Sequence, residues 1–197
     1  MTVLAGFQGN GFSIVGADSR ATDVGTGDSF ILANRKVTWD EQYQYLYAIS
    51  GASRGGNLLQ QGWTPPDAPE FIDEDHLDRF MTQTFLPTMR DVFVENGYEG
   101  VSLFGDSALH DGFFLISVHG IIYPVFSDYG WDRDIRGIYV GGSGGPIALG
   151  AMTALGIDKC KNDPNKAKAI IKKAIELACQ YNAYCSLPVH IEIQRAE

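Results

Sequence analysis

Residues 2–22 read T-V-L-A-G-F-Q-G-N-G-F-S-I-V-G-A-D-S-R-A-T, and this stretch predicts a β-hairpin. Two apolar runs, Val3–Phe7 and Phe12–Ala17, flank a polar segment, Gln8–Gly11. That segment contains Asn-Gly, which is the strongest short-range signal for a hairpin turn. The chain is therefore expected to begin with two antiparallel strands.

The predicted hairpin returns Asp18 and Arg20 to the end that carries Thr2. Residues two apart in a strand share a face, so these opposite charges could form an ion pair at the rim of the sheet. Such an exposed pair would contribute little stability.

Thr2 follows Met1 directly, and a small second residue favours removal of the initiator methionine. Removal would leave a free α-amine and a hydroxyl on one residue. An amine with a pKa near 8 can accept the hydroxyl proton, so nucleophile and base would be combined in Thr2. The alternative is that Thr2 is only the first residue of a strand.

The opening stretch resembles that of proteasome β subunits and of the bacterial HslV peptidase, which are N-terminal nucleophile (Ntn) hydrolases. Four later segments resemble the same group in order: Lys36-Val37, Ala48–Ala52, Val140–Pro146 and Ala178–Cys185. The resemblance spans nearly the whole chain. It implies an α+β fold, the four-layer αββα Ntn-hydrolase sandwich, formed by residues 1–197 as one domain.

The resemblance also implies catalytic roles for five residues. Thr2 would be the nucleophile, and a cationic Lys36, held by Asp18, would lower the pKa of its amine. The Gly51 N–H would stabilise the oxyanion, and Ser143 would hydrogen-bond near the amine.

Three of these residues also have ordinary structural interpretations. Lys36 could be a solvated lysine before an edge strand, Gly51 a turn glycine, and Ser143 a helix N-cap ahead of Pro146. The spacing from Arg20 to Lys36 is about two residues longer than is usual in the family, so Arg35 is an alternative to Lys36 at the position of the catalytic lysine. Lys36 is favoured because a valine follows it.

The resemblance implies supporting positions as well. Ile49, Ser50 and Ser53 would line the substrate pocket, and Arg20 would brace a loop. Asn182 and Cys185 stand where proteasome β subunits carry an aspartate and a serine. No cofactor is required, but the carbonyls of Cys179, Asn182 and Cys185 could hold a structural Na⁺ or K⁺, as in HslV.

The remaining sequence predicts alternating groups of strands and helices. Strands are predicted over Tyr45–Ser50, Val101–Gly105, Phe113–His119, Ile121–Val125, Ile138–Gly142 and Val189–Gln194, and helices over Asp75–Glu95, Pro146–Leu155 and Asp163–Tyr184. The helix after Gly51 is expected to be short, ending near Gln61 before a Pro- and acid-rich insert, Gly62–Glu74. Because Asp75–Glu95 carries many bulky apolar residues, some are expected to face another subunit.

Composition excludes several classes of function. A formal net charge of −9 over 197 residues argues against a nucleic-acid partner. No apolar run approaches the roughly 20 residues that a membrane span needs, and no secretory signal is recognisable. Three cysteines without paired metal spacing suit a reducing cytoplasm.

Three functions remain open at this point. The first is a threonine-type endopeptidase that cuts unfolded polypeptide as a homo-oligomer of one ring or stacked rings, with an ATPase unfoldase as an expected partner. The second is a catalytically silent subunit with an assembly role, such as a shell or virion component, which a retained Met1 would favour. The third and weakest is a non-peptidase Ntn amidohydrolase acting on a small amide.

Overall fold

The first hairpin forms where the Asn-Gly signal predicts it. The computed structural model describes residues 1–23, 25–98, 100–101 and 108–196. Strand β1 (Leu4–Gln8) pairs antiparallel with β2 (Phe12–Ala17), in a register that places Leu4 opposite Ala17. Gly11 adopts a φ of +71° in the turn, a conformation that costs glycine little.

Two four-stranded sheets are built around this hairpin and a second antiparallel group. The further elements of the first half are β3 (Arg20–Thr22), β4 (Ser29–Ile31), β5 (Val37–Asp40), β6 (Tyr45–Gly51), α1 (Ser53–Gln61), α2 (Glu74–Phe80), a π-helical segment (Met81–Phe85) and α3 (Leu86–Glu95). Those of the second half are β7 (Gly100–Val101), β8 (Ala108–Leu109), β9 (Gly112–Val118), β10 (Ile121–Val125), β11 (Ile138–Gly141), α4 (Gly145–Ala154), a 3₁₀ turn (Ile157–Cys160), α5 (Pro164–Tyr181) and β12 (His190–Arg195). The sheet orders are β11-β1-β2-β12 and β10-β9-β6-β5.

The two sheets stack face to face between two helical layers. A central apolar cluster that includes Leu4, Val15, Leu46 and Leu115 lies between the sheets. A second cluster joins the first sheet to α4 and α5, and a third joins the second sheet to α1, α2 and α3. Each sheet therefore buries both faces, and the predicted four-layer αββα arrangement is confirmed.

The long helical stretch, some of whose bulky residues were expected to face another subunit, packs most of them within its own chain. The stretch is helical from Glu74 to Glu95, as predicted, and the Asp73 side chain caps it by accepting from the His76 N–H at 2.7 Å. Of the six bulky residues behind the predicted subunit contact, Phe80 is half-buried against the same cluster, and the other five are fully or almost fully buried against the second sheet: Leu77, Phe85, Leu86, Met89 and Phe93. This helix face therefore gives no support to the prediction of a subunit contact.

Most predicted boundaries agree with the structure to within a few residues. Helix α5 ends at Tyr181 rather than Tyr184, because Asn182 is extended and its side-chain carbonyl accepts from the Tyr184 N–H at 2.9 Å. Of the predicted strand Val101–Gly105, positions 102–105 lie outside the described residues. Helix α1 does end at Gln61, so the short first helix is confirmed.

Residues 62–73 form neither helix nor strand. The Pro66 carbonyl accepts from the Tyr45 hydroxyl at 3.0 Å, and the Pro69 carbonyl bonds the His119 ring at 2.8 Å. This insert is therefore fastened to the helical side of the second sheet. In the part of the chain that the structure describes, no helix is long and apolar enough to cross a bilayer.

Candidate active site

The hairpin register places Asp18 beside Thr2. The Asp18 N–H donates to the Val3 carbonyl at 3.3 Å, and the Val3 N–H donates back to Asp18 Oδ1 at 3.0 Å. This reciprocal pair continues the β1–β2 ladder by one step beyond Leu4 and Ala17. The carboxylate is consequently held next to the peptide that follows Thr2.

Asp18 is fully buried and accepts four hydrogen bonds. Besides Val3, Oδ1 accepts from Lys36 Nζ at 2.8 Å. Oδ2 accepts from the N–H groups of Arg20 and Ser186 at 3.0 and 3.1 Å. Three backbone N–H groups and one ammonium satisfy the oxygens of this buried carboxylate, so its position is fixed.

Lys36 Nζ lies between the Asp18 carboxylate and the Thr2 hydroxyl. It contacts Thr2 Oγ1 at 2.9 Å, Asp18 Oδ1 at 2.8 Å and the Arg20 carbonyl at 2.6 Å. These three acceptors use all three N–H bonds of an ammonium group. Burial lowers the pKa of Lys36, and the Asp18 carboxylate opposes that shift. Because every contact is an acceptor, the geometry fits the charged form.

A glycine loop clamps the backbone of Thr2 from the other side. The Gly144 N–H donates to the Thr2 carbonyl at 3.1 Å. Gly142 has a φ of +73°, and a Cβ there would overlap the same carbonyl. Only glycine can approach this closely, so the loop between β11 and α4 fixes the position of Thr2.

The Gly51 N–H points toward the side of β6 on which Lys36 lies. The Ile49 N–H donates to the Lys36 carbonyl at 3.1 Å, whereas the Ala52 N–H donates to the Asp111 carbonyl at 3.1 Å on the β9 side. N–H directions alternate along a strand, so the Gly51 N–H is directed like that of Ile49. Strand β5 begins at Val37, opposite Ala48, so Gly51 lies beyond the end of the pairing between β5 and β6 and this part of the strand edge is open.

A cavity of about 120 Å³ lies at that open edge. Thr2, Lys36 and Gly51 line it together with Met1. Its other walls come from the hairpin of β3 and β4, the segment before β5, and helix α1; the residues include Ala21, Leu32, Asn34, Ile49, Ser53 and Asn57. A hydroxyl, an ammonium and a backbone N–H therefore converge on one opening.

Comparison with solved structures supports the resemblance at the level of the fold. BPH from Thiobacillus denitrificans is 21% identical, with a TM-score of 0.74 over 100% of this chain and 99% of that chain. The same protein in complex with epoxomicin gives 21% identity and a TM-score of 0.75 over 100% of both chains. The eukaryotic HslV of Trypanosoma brucei is 14% identical, with a TM-score of 0.62 over 98% and 99%. This chain has the proteasome/HslV-like Ntn-hydrolase fold. No protein-family model and no curated protein matches it in sequence.

Within this Ntn-hydrolase fold, Lys36 rather than Arg35 faces Thr2. Arg35 also lines the cavity, but its guanidinium is exposed and pairs with Glu192 at 3.1 Å. The interpretation of Lys36 as a solvated lysine is therefore wrong, since its side chain is buried. The predicted rim ion pair of Asp18 with Arg20 is also wrong: Asp18 accepts the Arg20 backbone N–H, while the Arg20 guanidinium donates to the Ser29 hydroxyl. Arg20 thus ties β3 to β4.

Of the three predicted pocket residues, Ile49 and Ser53 line the cavity. Ser50 does not. Its neighbours Leu46 and Ala48, which share its face of β6, lie in the cluster between the sheets. The Ser50 hydroxyl accordingly lies close to Gly142, on the inner face of the sheet.

Ser143 belongs to the loop that contacts Thr2, but it does not cap helix α4. Gly144 is the N-cap of α4, so the N-cap interpretation of Ser143 is wrong. The Ser143 carbonyl accepts from the Asn182 side chain at 2.8 Å, and its side chain lies against the Cys185 thiol. Burial, with Asp18 nearby, raises the pKa of Cys185 to about 11, so this thiol is not an activated nucleophile.

The predicted cation position lies at the turn after α5. The Asn182 carbonyl accepts from the Cys185 N–H at 3.1 Å, and a carbonyl oxygen keeps a second lone pair that could face an ion. Carbonyl oxygens suit a hard cation. Binding of Na⁺ or K⁺ by the carbonyls of Cys179, Asn182 and Cys185 stays a prediction.

Sequence reasoning missed the residues that hold the site from a distance. The Ser186 N–H reaches Asp18 across 168 positions, and the Asp111 carbonyl fastens the Gly51 turn. Neither contact leaves a local signal, because a backbone group contributes through its position and not its side chain. Gly142 was quoted within the glycine loop, and its contact with Thr2 explains why a glycine stands there.

Proposed function

We propose that this chain is a threonine-type endopeptidase in which Thr2 becomes the N-terminal nucleophile after removal of Met1. The observation that carries the proposal is the buried contact of Lys36 Nζ with Thr2 Oγ1 at 2.9 Å and with Asp18 at 2.8 Å. An ammonium held against a buried threonine hydroxyl suits the stabilisation of an alkoxide.

The freed Thr2 amine would act as the base. Lys36 cannot take the hydroxyl proton in its charged form, because an ammonium group has no lone pair to accept it. Its charge disfavours protonation of a neighbouring amine and so lowers the pKa of that amine. The Thr2 Oγ proton would pass to the amine, directly or through water, as Oγ bonds the peptide carbonyl carbon.

The Gly51 N–H would then stabilise the negative oxygen of the tetrahedral intermediate. As the C–N bond breaks, the departing amine takes the proton from the Thr2 ammonium and leaves an ester on Oγ. The Thr2 amine would then take a proton from water, and this water would hydrolyse the ester and regenerate Thr2. One preorganised oxyanion donor is typically worth about 3 kcal/mol.

Processing of Met1 is the first test. Met1 and Thr2 both line the cavity, and Thr2 is only 3% exposed, so removal of Met1 frees the amine and opens the space beside the hydroxyl. We expect protein purified from cells with normal methionine aminopeptidase to have an intact mass that begins at Thr2. A quantitatively retained Met1 would block the proposed base and exclude the mechanism.

Covalent labelling is the second test. An epoxyketone such as epoxomicin should modify Thr2, and the Thr2→Ala variant should lose both labelling and cleavage of unfolded polypeptide while remaining folded. Adducts mapped to Cys179 or Cys185 would show that the nucleophile is wrongly assigned. The raised pKa of both thiols, about 12 and 11, argues against that outcome.

A homo-oligomer, as one ring or stacked rings, belongs to the same proposal. The support comes from an exposed apolar rim formed by Phe30, Ile31 and Leu187, which are 59%, 51% and 54% exposed. The segment that carries Phe30 and Ile31 lies next to the one that carries Leu187, because both bond Ser19. The Leu32 N–H donates to the Ser19 carbonyl, and the Ser19 N–H donates to the Ser186 carbonyl. A second copy of the chain would cover this rim. An ATPase unfoldase that delivers polypeptide is a further proposed partner.

A silent subunit with an assembly role is the second candidate. It would follow from retention of Met1, which would leave the Thr2 nitrogen in a peptide bond and remove the proposed base. The intact-mass measurement separates the two candidates, because only a chain that begins at Thr2 carries the proposed base.

A further inference from the structure

Tyr98 lies behind the Gly51 turn, on the β9 side of β6. Its hydroxyl donates to the Asp111 carbonyl at 2.5 Å, and the Ala52 N–H donates to the same oxygen at 3.1 Å. Tyr98 is 8% exposed, and burial together with Asp111 raises the pKa of its hydroxyl. The hydroxyl therefore stays protonated and remains a donor to this carbonyl.

The Asp111 carbonyl is packed directly against Gly51. A Cβ on Gly51 would lie 2.5 Å from the Asp111 oxygen and 2.7 Å from Gly112 Cα. Gly51 itself has a φ of +130°, which side-chain-bearing residues rarely adopt. The Gly51 N–H belongs to the Ser50–Gly51 peptide, and φ of Gly51 sets the orientation of this peptide relative to the Gly51–Ala52 peptide. The Asp111 oxygen holds the latter by accepting from the Ala52 N–H.

The Tyr98 ring also contacts helix α1, which begins two residues after Gly51. A Cβ on Gly55 would lie 2.7 Å from the ring, and the ring packs edge-to-face on Phe93 with centroids 5.0 Å apart. The ring thus fills the space between α1 and α3, whereas the hydroxyl alone reaches Asp111. The two contributions can be separated by removing only the hydroxyl.

We propose that Tyr98 is a positioning residue that sets the direction of the Gly51 N–H by holding the Asp111 carbonyl against the turn. The inference rests on the proposed function, because it gives the Gly51 N–H its role toward the oxyanion. Tyr98 touches no substrate. A misdirected donor would weaken binding of the transition state and leave binding of the ground state unchanged.

Tyr98→Phe tests this inference, with Tyr45→Phe as the matched control. Tyr45 is also buried in the helix-facing cluster of the second sheet, and its hydroxyl also donates to one backbone carbonyl, that of Pro66 at 3.0 Å. Each variant removes one buried hydroxyl and keeps the ring, so the two should lose similar stability. Only Tyr98→Phe should lower kcat on a fluorogenic peptide, by about tenfold, with KM unchanged.

Amide hydrogen exchange of Ala52, followed by NMR, gives a readout that does not need activity. Exchange should be faster in Tyr98→Phe than in wild type or in Tyr45→Phe. Equal kcat in wild type and Tyr98→Phe, or an equal fall in both variants, would overturn the inference. If the wild type begins at Thr2 but cleaves no peptide and takes no epoxomicin, the proposed function fails. The exchange rates then decide the positioning role alone: unchanged rates overturn it, and faster exchange supports it.

Discussion

Replacing Lys36 by methionine removes the charge at the proposed site and keeps an unbranched side chain. Breaking a buried ion pair by deleting one partner typically costs about 3–5 kcal/mol. The lower end of this range applies here, because Asp18 would keep its three backbone N–H donors, from Val3, Arg20 and Ser186. We therefore expect the free energy of unfolding of Lys36→Met to fall by about 3 kcal/mol.

The same substitution should reduce kcat/KM for a fluorogenic peptide by about 10²–10³-fold, as expected for loss of one preorganised donor to a developing anion. Arg35→Met is the matched control. Arg35 is the neighbouring cation, and its ion pair with Glu192 is exposed, so its loss should cost below about 1 kcal/mol. Because Arg35 lines the cavity, its loss can change KM, but kcat should stay near the wild-type value. A folded Lys36→Met variant with activity within tenfold of wild type would refute the mechanism. Loss of activity in Arg35→Met alone would transfer the role to Arg35.

The pH dependence of unfolding supplies a second readout for Lys36. Burial lowers its pKa in the folded chain below the ordinary 10.5. Between the lowered pKa of the folded chain and 10.5, the unfolded chain binds more protons than the folded one. Lys36 therefore makes the free energy of unfolding rise with pH in that window. Lys36→Met lacks this contribution. The stability difference between wild type and variant, measured by urea unfolding, should therefore widen as pH rises toward 10.5; a constant difference would contradict the buried placement.

Three further changes test other parts of the structure. Gly51→Ala places a Cβ 2.5 Å from the Asp111 oxygen, so it should lower the free energy of unfolding by about 1–3 kcal/mol and abolish cleavage. Gly150→Ala, where a Cβ meets no atom within 4 Å, should be tolerated. Equal unfolding midpoints for the two variants would contradict this prediction. His110 has its pKa lowered to about 4 by burial, so between pH 6.5 and 4 only the unfolded chain gains its proton. Wild type should lose up to about 3 kcal/mol over that range, and His110→Phe should show a flatter dependence in urea unfolding; parallel curves would exclude the effect. Leu187→Asp should lower the molar mass seen by light scattering, and an unchanged mass would remove this rim from the interface.

The sequence by itself determined the parts of the site that depend on local register. Asn10-Gly11 closes the hairpin, so the position of Asp18 beside Thr2 follows from counting residues along two short strands. The helix positions were also readable, because apolar periodicity and caps such as Asp73 are local signals. These features need only contacts between residues that are near in the chain.

Only the tertiary structure decided between neighbours that look alike in sequence. Lys36 and Arg35 differ by one position, and which of them faces Thr2 depends on how β5 pairs with β6, since a shift of one residue reverses the faces of a strand. The contact from Ser186 to Asp18, 168 positions away, likewise depends on where β12 joins the sheet. Apolar periodicity indicated that the helix face carrying Phe85 and Phe93 must be buried, but it did not indicate which element buries it. The chain's own second sheet covers it, because burial is a property of the assembled layers and not of the helix alone.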